Sequence, residues 1–442
     1  MSRLTAALGA TAALALCAPG MASAAPWSLP ARVEACPALE GAGVLFPSDA
    51  PDQPTGPGAL AWQASAACAG GEGPRISPIG PGDVPGTPTA PAGRGRTSTP
   101  SGALQAGTAP HGQVVLAGAT GGVPVQGLAG SPLTALRPLS GRPVLAITNA
   151  YLDDVALATA PPTGGVELDV ERWYGHGVDR SAIISRSSPH AVQGLTLAMD
   201  FRSDALAVWT QSGSILARDM PASGPAQPIQ RLAPAPSHPR IAALLSDDNR
   251  AIAAWSEESG GVVSVYLDRS ASGVRFHTPT LLERFRQPDG LPPPSASPRL
   301  IRLSSESVMI AWAGAAEGHW VLRTAAIDLV GVGAPSTIAV SGTDALLAGL
   351  VPGPDGDALV LWTQPQPSPG SSEPPEQSIF AARGFDAYPR KTVFGQPELV
   401  APPGPDRDVT AAFDPNGDGA IALWRGADEA LEYAIRSPPD GS

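Results

Sequence analysis

The sequence predicts an all-β fold, a β-propeller of seven or eight four-stranded antiparallel blades whose ring is closed by an N-terminal strand. Three observations lead to this prediction. A hairpin pattern that ends on tryptophan recurs along the chain, the strands of this pattern are apolar on both faces, and no stretch shows sustained helical periodicity. A repeat of this kind, with a period of roughly fifty residues, is typical of propellers and other repeat arrays.

The clearest copy of the pattern spans residues 411–424. An apolar run leads into an Asp-Pro-Asn-Gly-Asp-Gly turn, and a second apolar run leaves the turn and ends on Trp424. Asp, Asn and Gly favour tight reversals because they tolerate positive φ angles and form side-chain-to-backbone hydrogen bonds. The other clear copies are residues 197–209, 243–255, 301–312 and 350–362, and their final tryptophans are Trp209, Trp255, Trp312 and Trp362.

The strand after each turn is predicted to be covered on both sides. In the first clear copy Ala205 and Trp209 share one face, and Leu206 and Val208 share the other. A strand that is apolar on both faces must be sandwiched, as a strand is between two blades. We therefore expect the five tryptophans to fill the core between blades.

Two further strands are predicted after each tryptophan, which completes a four-stranded blade. The third strands are predicted at 214–219, 262–268, 320–328, 378–385 and 430–436, and the fourth at 228–232, 278–282, 335–340 and 397–401. The last unit stops after its third strand. The apolar segment 27–33 is therefore predicted to supply the missing strand and close the ring.

The N-terminal part is less regular. Residues 43–47 and 59–62 form a degenerate first copy, 113–119 and 143–160 form copies that lack the tryptophan, and 81–101 is predicted to be a flexible loop. Residues 25–442 are thus predicted to be one propeller domain, with a degenerate part at 25–101 and clear repeats at 194–442.

Residues 1–24 are predicted to be a secretory signal peptide. Arg3 gives the charged start, residues 4–16 the apolar segment, and Ala22-Ser23-Ala24 the cleavage site. The secreted chain would keep Cys36 and Cys68, which predicts one disulfide in an oxidising compartment. Two unrelated buried thiols are the alternative.

The composition narrows the classes of partner. The net charge is −12 and the pI is about 4.9, which argue against nucleic acid or an anionic membrane as a partner. We therefore expect a secreted monomer that binds a protein or a glycan.

The segment from Phe413 to Trp424 resembles the blades of WD40 and TolB propellers, and this resemblance extends over residues 194–442. It implies blade architecture. The Gly-His and Trp-Asp dipeptides of true WD40 repeats are missing, so their partners are not implied. The turns are also distantly similar to the Asp-box of sialidases, Ser-X-Asp-X-Gly-X-X-Trp, although Asp414 and Trp424 are ten residues apart rather than five.

The turn in the last copy also matches the start of a calcium-binding loop. Asp414, Asn416 and Asp418 stand at ligand positions 1, 3 and 5, and Gly419 stands at position 6. Position 12 is Arg425, where an EF-hand has a bidentate Glu. A hairpin turn without metal is the alternative, and no other cofactor is predicted.

Two groups of residues are candidates for ligand binding. The first is the cluster Arg172, Trp173, Tyr174 and His176, which could equally be a strand end packed on a neighbouring blade. The second lies on long irregular segments at 81–101, 284–298, 363–377 and 402–407, which are all predicted to lie on one face of the ring. Its charged residues are Arg284, Arg286, Asp289, Glu373 and Glu376. Proline-rich insertions without a ligand are the alternative.

These features favour an exported, non-catalytic propeller scaffold that binds a protein or a glycan through loops on one face. The alternative is a secreted, sialidase-like hydrolase or lyase with its site in the central channel. Carboxylates or arginines recurring at equivalent blade positions would favour the enzyme, and the sequence pattern shows none. No catalytic residue is predicted.

Overall fold

The computed structural model describes thirty segments of the chain. They are residues 27–37, 43–45, 59–65, 67–68, 73–79, 84–87, 97–98, 104–108, 114–118, 121–125, 142–149, 154–160, 166–172, 177–186, 192–200, 202, 204–235, 240–246, 250–270, 275–288, 298–304, 307–328, 330–338, 344–353, 356–366, 376–387, 391–404, 409–413, 419–426 and 428–437. Between residues 88 and 165 only the backbone is described. The predicted signal peptide lies outside these segments.

The regular elements of the described residues are β-strands. In the first half they are β1 (Ala31–Pro37), β2 (Gly43–Leu45), β3 (Ala59–Ala64), β4 (Gly73–Pro78), β5 (Thr97–Ser98), β6 (Leu104–Thr108), β7 (Val114–Gly118), β8 (Gly121–Val125), β9 (Arg142–Asn149), β10 (Asp154–Ala160), β11 (Val166–Arg172), β12 (Gly177–Ser185), β13 (Gln193–Met199), β14 (Ala205–Gln211), β15 (Ser214–Met220) and β16 (Gln230–Pro234). In the second half they are β17 (Arg240–Leu245), β18 (Ala251–Ser259), β19 (Val262–Arg269), β20 (Thr280–Arg286), β21 (Arg299–Arg302), β22 (Val308–Ala316), β23 (His319–Ile327), β24 (Ser336–Ile338), β25 (Leu346–Pro352), β26 (Asp357–Gln366), β27 (Glu376–Ala387), β28 (Lys391–Phe394), β29 (Glu398–Gly404), β30 (Val409–Phe413), β31 (Ala420–Arg425) and β32 (Ala430–Arg436). No helix of these residues is long and apolar enough to cross a membrane.

The strands form small antiparallel sheets like propeller blades. The four-stranded sheets have the orders β5-β6-β7-β8, β12-β11-β10-β9, β13-β14-β15-β16, β17-β18-β19-β20, β21-β22-β23-β24 and β1-β32-β31-β30. Strands β2, β3 and β4 form a three-stranded sheet, and in the β25–β28 sheet β27 also pairs with a fifth strand, β29.

Tight turns join the second and third strands of several sheets. Between β14 and β15, Ser212 and Gly213 both have positive φ angles, 49° and 69°, and Gln211 pairs with Ser214. Glu317 and Gly318 play the same part between β22 and β23. Two central residues at positive φ are the mark of a type I′ hairpin, whose twist matches that of the paired strands.

The five repeated tryptophans fill the core between sheets, as the sequence predicts. Each is at most 1% exposed: Trp209, Trp255, Trp312, Trp362 and Trp424. Each belongs to a hydrophobic cluster that also contains residues of the preceding sheet. Trp62 of the degenerate first copy is buried in the same way, with Ile421 and Leu423 of β31. Burial of these large side chains stabilises the junctions in which they lie.

One series of contacts between sheets runs along an edge strand of each sheet. The strands that touch are, in order, β9, β13, β17, β21, β25, β30, β2, β8 and again β9. All except β8 are the first strands of their sheets. At the opposite edge of the last sheet, the N-terminal strand β1 pairs with β32, so that Ala31 lies opposite Tyr433 and Arg32 opposite Glu432.

All four long connections are shorter than the sequence pattern predicts, since β5 lies within 81–101 and β29 extends to Gly404 within 402–407. The connection placed at 284–298 begins only after β20, because Arg284 and Arg286 continue the strand and pair with Ser264 and Val262. The connection placed at 363–377 is also partly strand, since β26 and β27 remain paired out to Gln366 and Glu376. Proline at position 365 favours a loop in the sequence pattern. The strand continues through it because a strand tolerates proline near its hairpin end.

Candidate functional site

Each sheet has two ends, and the site candidates divide between them. We call the end with the second-to-third turns and the connections between sheets the link face, and the end with the first-to-second and third-to-fourth turns the hairpin face. Arg284, Arg286 and Glu376 lie on strands at the link face. Asp289 and Glu373, also predicted for this face, lie outside the described residues.

The structure uses Arg284 within its own sheet. Its Nε donates a hydrogen bond to Ser264 Oγ at 3.1 Å, and its charge acts on the carboxylate of Glu257. Burial raises the pKa of Glu257, while a hydrogen bond from Trp255 and the charge of Arg284 lower it in part. Arg284, Arg286 and Glu376 are all exposed and stay the described candidates of this group.

For most of the other predicted site residues, either the side chain or the whole residue lies outside the part of the chain that the structure describes. Arg172 ends β11, with its backbone opposite Asp154 and Gly177, and its side chain is not described. Trp173, Tyr174 and His176 lie outside the described residues, as do the calcium candidates Asp414, Asn416 and Asp418. Among the residues that are described, no group of three or more His, Cys, Asp or Glu side chains could hold a metal ion.

Carboxylates accept the indole N–H groups of several buried tryptophans. Trp255 donates to Glu257 at 3.0 Å, Trp312 to Glu283 at 2.6 Å and Trp424 to Glu432 at 2.9 Å. A buried N–H without an acceptor would be costly, so these contacts help to fix each tryptophan between its sheets. These three carboxylates therefore stabilise the fold.

Two arginines that the sequence pattern does not single out begin first strands at the link face. Arg240 begins β17 and Arg299 begins β21, the first strands of neighbouring sheets, and these two strands are in contact. Both follow proline, in Pro239-Arg240 and Pro298-Arg299, and this repeated dipeptide is the signal that could have revealed them. The two positions differ in register, since Arg240 lies opposite Ser256, one residue after Trp255, whereas Arg299 lies opposite Ala311, one residue before Trp312.

The surroundings of these arginines are unusual for a surface. Burial lowers the pKa of Arg240, and the charge of Glu258 opposes that shift. Burial alone lowers the pKa of Arg299, although its side chain stays accessible to solvent. Desolvation disfavours the charged form of each guanidinium group, and an anionic group beside it would restore favourable electrostatics.

A pair of carboxylates lies at the hairpin face. Asp200 and Asp204 are 2% and 5% exposed, and Asp200 Oδ1 accepts hydrogen bonds from the N–H groups of Arg202 and Asp204 at 2.9 and 2.8 Å. Burial and the nearby Asp204 charge raise the pKa of Asp200 to about 6. The pair shapes the turn between β13 and β14, and Asp204 also accepts from the N–H of Ala222.

Asp200→Asn should stabilise the protein at pH 8 by about 1–3 kcal/mol, since ionised Asp200 is disfavoured in the folded state. The folded state keeps this proton to a higher pH than the unfolded chain, whose ordinary pKa is 3.8. Wild-type stability should therefore fall as the pH rises from about 4 to about 6, and the variant should lack that fall. Urea unfolding of the wild-type protein and of the variant at pH 4, 6 and 8 measures the stabilisation and its pH dependence. Equal pH profiles of the two proteins would contradict the raised pKa of Asp200.

Comparisons with known proteins identify no family. The sequence matches no protein-family model and no curated protein. Among solved structures, the chain is similar to the C-terminal WD40 domain of Sif2, with a TM-score of 0.46, 10% identity, and coverage of 93% of this chain and 99% of that one. It is also similar to the propeller domain of the Trilobed protease from Pyrococcus furiosus, with a TM-score of 0.43, 10% identity, and coverage of 91% of this chain and 97% of that one. A third similar structure is the Cps50 (Swd1) propeller of Myceliophteria thermophila, with a TM-score of 0.38, 11% identity, and coverage of 78% of this chain and 97% of that one.

The chain is a β-propeller repeat protein. Its blade architecture follows from the antiparallel sheets and from the tryptophan-filled junctions between them. The structural similarities, at about 10% identity and with TM-scores below 0.5, say nothing about ligands or activity.

Proposed function

We propose that this propeller is an exported, non-catalytic scaffold that binds a protein or a glycan through its link face. The observation that carries the proposal is the pair Arg240 and Arg299, which begin neighbouring inner strands at that face. In a chain of net charge −12, each of these guanidinium groups is a candidate partner for an anionic group, and Arg240 also feels the charge of Glu258. Arg groups of this kind recognise carboxylate and similar anions through planar, paired hydrogen bonds.

We further propose that the sheets form a closed ring of eight blades. The cyclic order of contacts between edge strands supports it, as does the pairing of β1 with β32. On this proposal, Arg240 and Arg299 lie at the mouth of the central channel.

Export and the disulfide remain parts of the same proposal. The signal-peptide pattern at 1–24 supports secretion. Cys36 belongs to β1, and Cys68 is buried with its Sγ 3.8 Å from Ser65 Oγ. The predicted Cys36–Cys68 bridge would tie the N-terminal strand to the first sheet.

The binding surface can be tested with a double variant. Arg240→Gln with Arg299→Gln should weaken capture of the partner, or binding on a glycan array, by about tenfold or more, because charged hydrogen bonds contribute about 1.5–3 kcal/mol each. Arg231→Gln, on the outer strand β16, is the matched control with an exposed arginine. Unchanged binding by the double variant, with its melting temperature preserved, would refute the role of the arginines.

Two loop variants test the rest of the link face. Replacing residues 367–375 by Asn-Gly keeps the pairing of Gln366 with Glu376, because a two-residue turn closes such a hairpin. Deleting residues 289–296 shortens the connection before β21. Loss of binding in either variant would assign Asp289 or Glu373 a part in it. Full binding in both would exclude these loops and leave the arginines as the site.

A further inference from the structure

The outer strand β20 leaves one edge of its sheet unpaired in the part of the chain that the structure describes. The sheet has the order β17-β18-β19-β20, so that β20 is its last strand and pairs with β19. An edge strand of this kind presents backbone N–H and C=O groups, to which another extended chain can add a strand. We call the outward edge of β20 (Thr280–Arg286), with the side chains along it, the β20 edge.

Most of the other outer strands, which lie opposite the edge strands that join neighbouring sheets, are less suited to pairing. Proline, which has no N–H group, occurs in four of them: Pro37 in β1, Pro78 in β4, Pro234 in β16 and Pro402 in β29. Strands β24 and β28 have only three and four residues. In β12 the carbonyl oxygen of Ile183 already accepts a hydrogen bond from Arg218 of the next sheet. Strand β20 has seven residues and no proline, so it lacks these obstacles.

Three exposed side chains of β20, those of Leu281, Arg284 and Arg286, lie on one face of the sheet. Their partners on β19 are alternate residues, from 262 to 266, and alternate residues of a strand point to the same face. Leu281 is 44% exposed, which is unusual for a leucine in a strand. This face therefore presents an apolar side chain and then two cations along the free edge.

The two arginines are available to an anionic partner. The Nε of Arg284 donates to Ser264 Oγ at 3.1 Å, which orients the guanidinium group and leaves its terminal N–H groups for a ligand. The carboxylate on which the charge of Arg284 acts, that of Glu257, already accepts the N–H of Trp255 at 3.0 Å. Two arginines thus lie near one carboxylate that is already bonded. Carboxylates of an incoming strand would meet charged donors here.

We propose that the β20 edge binds an extended, acidic segment of a partner protein as an added fifth strand. Backbone hydrogen bonds to β20 would hold the segment, two acidic side chains at alternate positions would pair with Arg284 and Arg286, and an apolar side chain would cover Leu281. Pairing of two copies of this chain through the same edge would bring four arginines into one small sheet, which favours an acidic partner over a second copy. The proposal does not involve Arg240 or Arg299, so it stands or falls independently of the link-face site.

The test is amide hydrogen exchange of the protein, measured by mass spectrometry, during titration with acetyl-Glu-Thr-Glu-Thr-Val-Val-amide. We expect saturable protection of β20, half-maximal at about 1 mM peptide or below. The peptide with Gln in place of both Glu residues has the same length without the charge. The peptide acetyl-Glu-Pro-Pro-Glu-Val-Val-amide keeps the charge, and its adjacent prolines remove N–H donors from both of its edges. Little protection by these two controls supports an added acidic strand, and equal protection by either of them would overturn it.

Matched variants test the side chains. Arg284→Gln with Arg286→Gln should weaken binding of the first peptide by about tenfold or more, and Leu281→Ser by about threefold. Arg231→Gln is the control, because Arg231 is an exposed arginine on the outer strand β16. If loss of the Ser264 contact unfolds the double variant, Arg286→Gln alone decides. Unchanged binding by the arginine variants would refute the proposal, as would light scattering that shows a dimer of this chain formed through β20.

Discussion

Trp255→Ala is expected to lower the free energy of unfolding by about 3–5 kcal/mol. Trp255 is fully buried between the β13–β16 and β17–β20 sheets, in a cluster with Leu206 and Val208 of the first of these. Its ring stacks on Tyr266, with centroids 5.7 Å apart, and its N–H is donated to Glu257. The substitution would leave a cavity at the junction and remove a hydrogen bond from a desolvated carboxylate.

Urea unfolding followed by circular dichroism measures this loss. Trp255→Phe keeps most of the buried volume and loses the N–H, so its cost should be clearly smaller. Leu29→Ala, at a side chain that is 88% exposed, should change the stability by less than about 0.5 kcal/mol. A cost for Trp255→Ala as small as that of Leu29→Ala would show that this tryptophan does not support the junction.

A chain that lacks residues 25–33 should lose more stability than any single tryptophan variant. It would lose Trp27, which is 4% exposed, packs in one cluster with Leu359 and Trp424, and donates its N–H to Glu398 at 2.9 Å. Loss of one such aromatic side chain costs about 3–5 kcal/mol. The deletion would also remove half of β1 and expose the edge of β32, which favours aggregation.

The control for this deletion is Arg32→Gln. It breaks only the ion pair of Arg32 with Asp428, at 2.8 Å, in which both side chains are about half exposed. Such pairs contribute about 0–1 kcal/mol. Unfolding midpoints and light scattering compare the two chains. If the deletion is as mild as Arg32→Gln, β1 is not needed for the integrity of the fold.

Much of the fold can be predicted because its signals are local. An apolar strand, an Asp/Asn/Gly turn and a terminal tryptophan lie within about a dozen residues, and from these β13–β14, β17–β18 and β30–β31 are expected at nearly their observed places. The third strands follow for the same reason: β32 is predicted at 430–436 and observed at Ala430–Arg436. The paired apolar faces predict that the tryptophans are buried between sheets.

The site is less predictable because its contacts are distant in sequence. Arg269 meets the carbonyl of Asp328 fifty-nine residues later, and Trp312 finds its acceptor, Glu283, on the preceding sheet. No local pattern encodes such pairs. The sequence predicts Arg284 and Arg286 in a connection because proline-rich sequence follows them, whereas the ladder with β19 keeps them in a strand. Arg240 and Arg299 stand at the starts of strands, outside the repeated turn and tryptophan pattern.

The pairing of β1 with β32 is the most direct test of a closed propeller. In the chain with Ala31→Cys and Tyr433→Cys, the two cysteines face each other across the strands and should form a disulfide in the monomer, detected by peptide mapping without reduction. The matched chain with Leu29→Cys and Tyr433→Cys should form little or none. Efficient cross-linking of the first pair alone is the result that closure predicts. Absence of that cross-link, or equal cross-linking of both pairs, would contradict it.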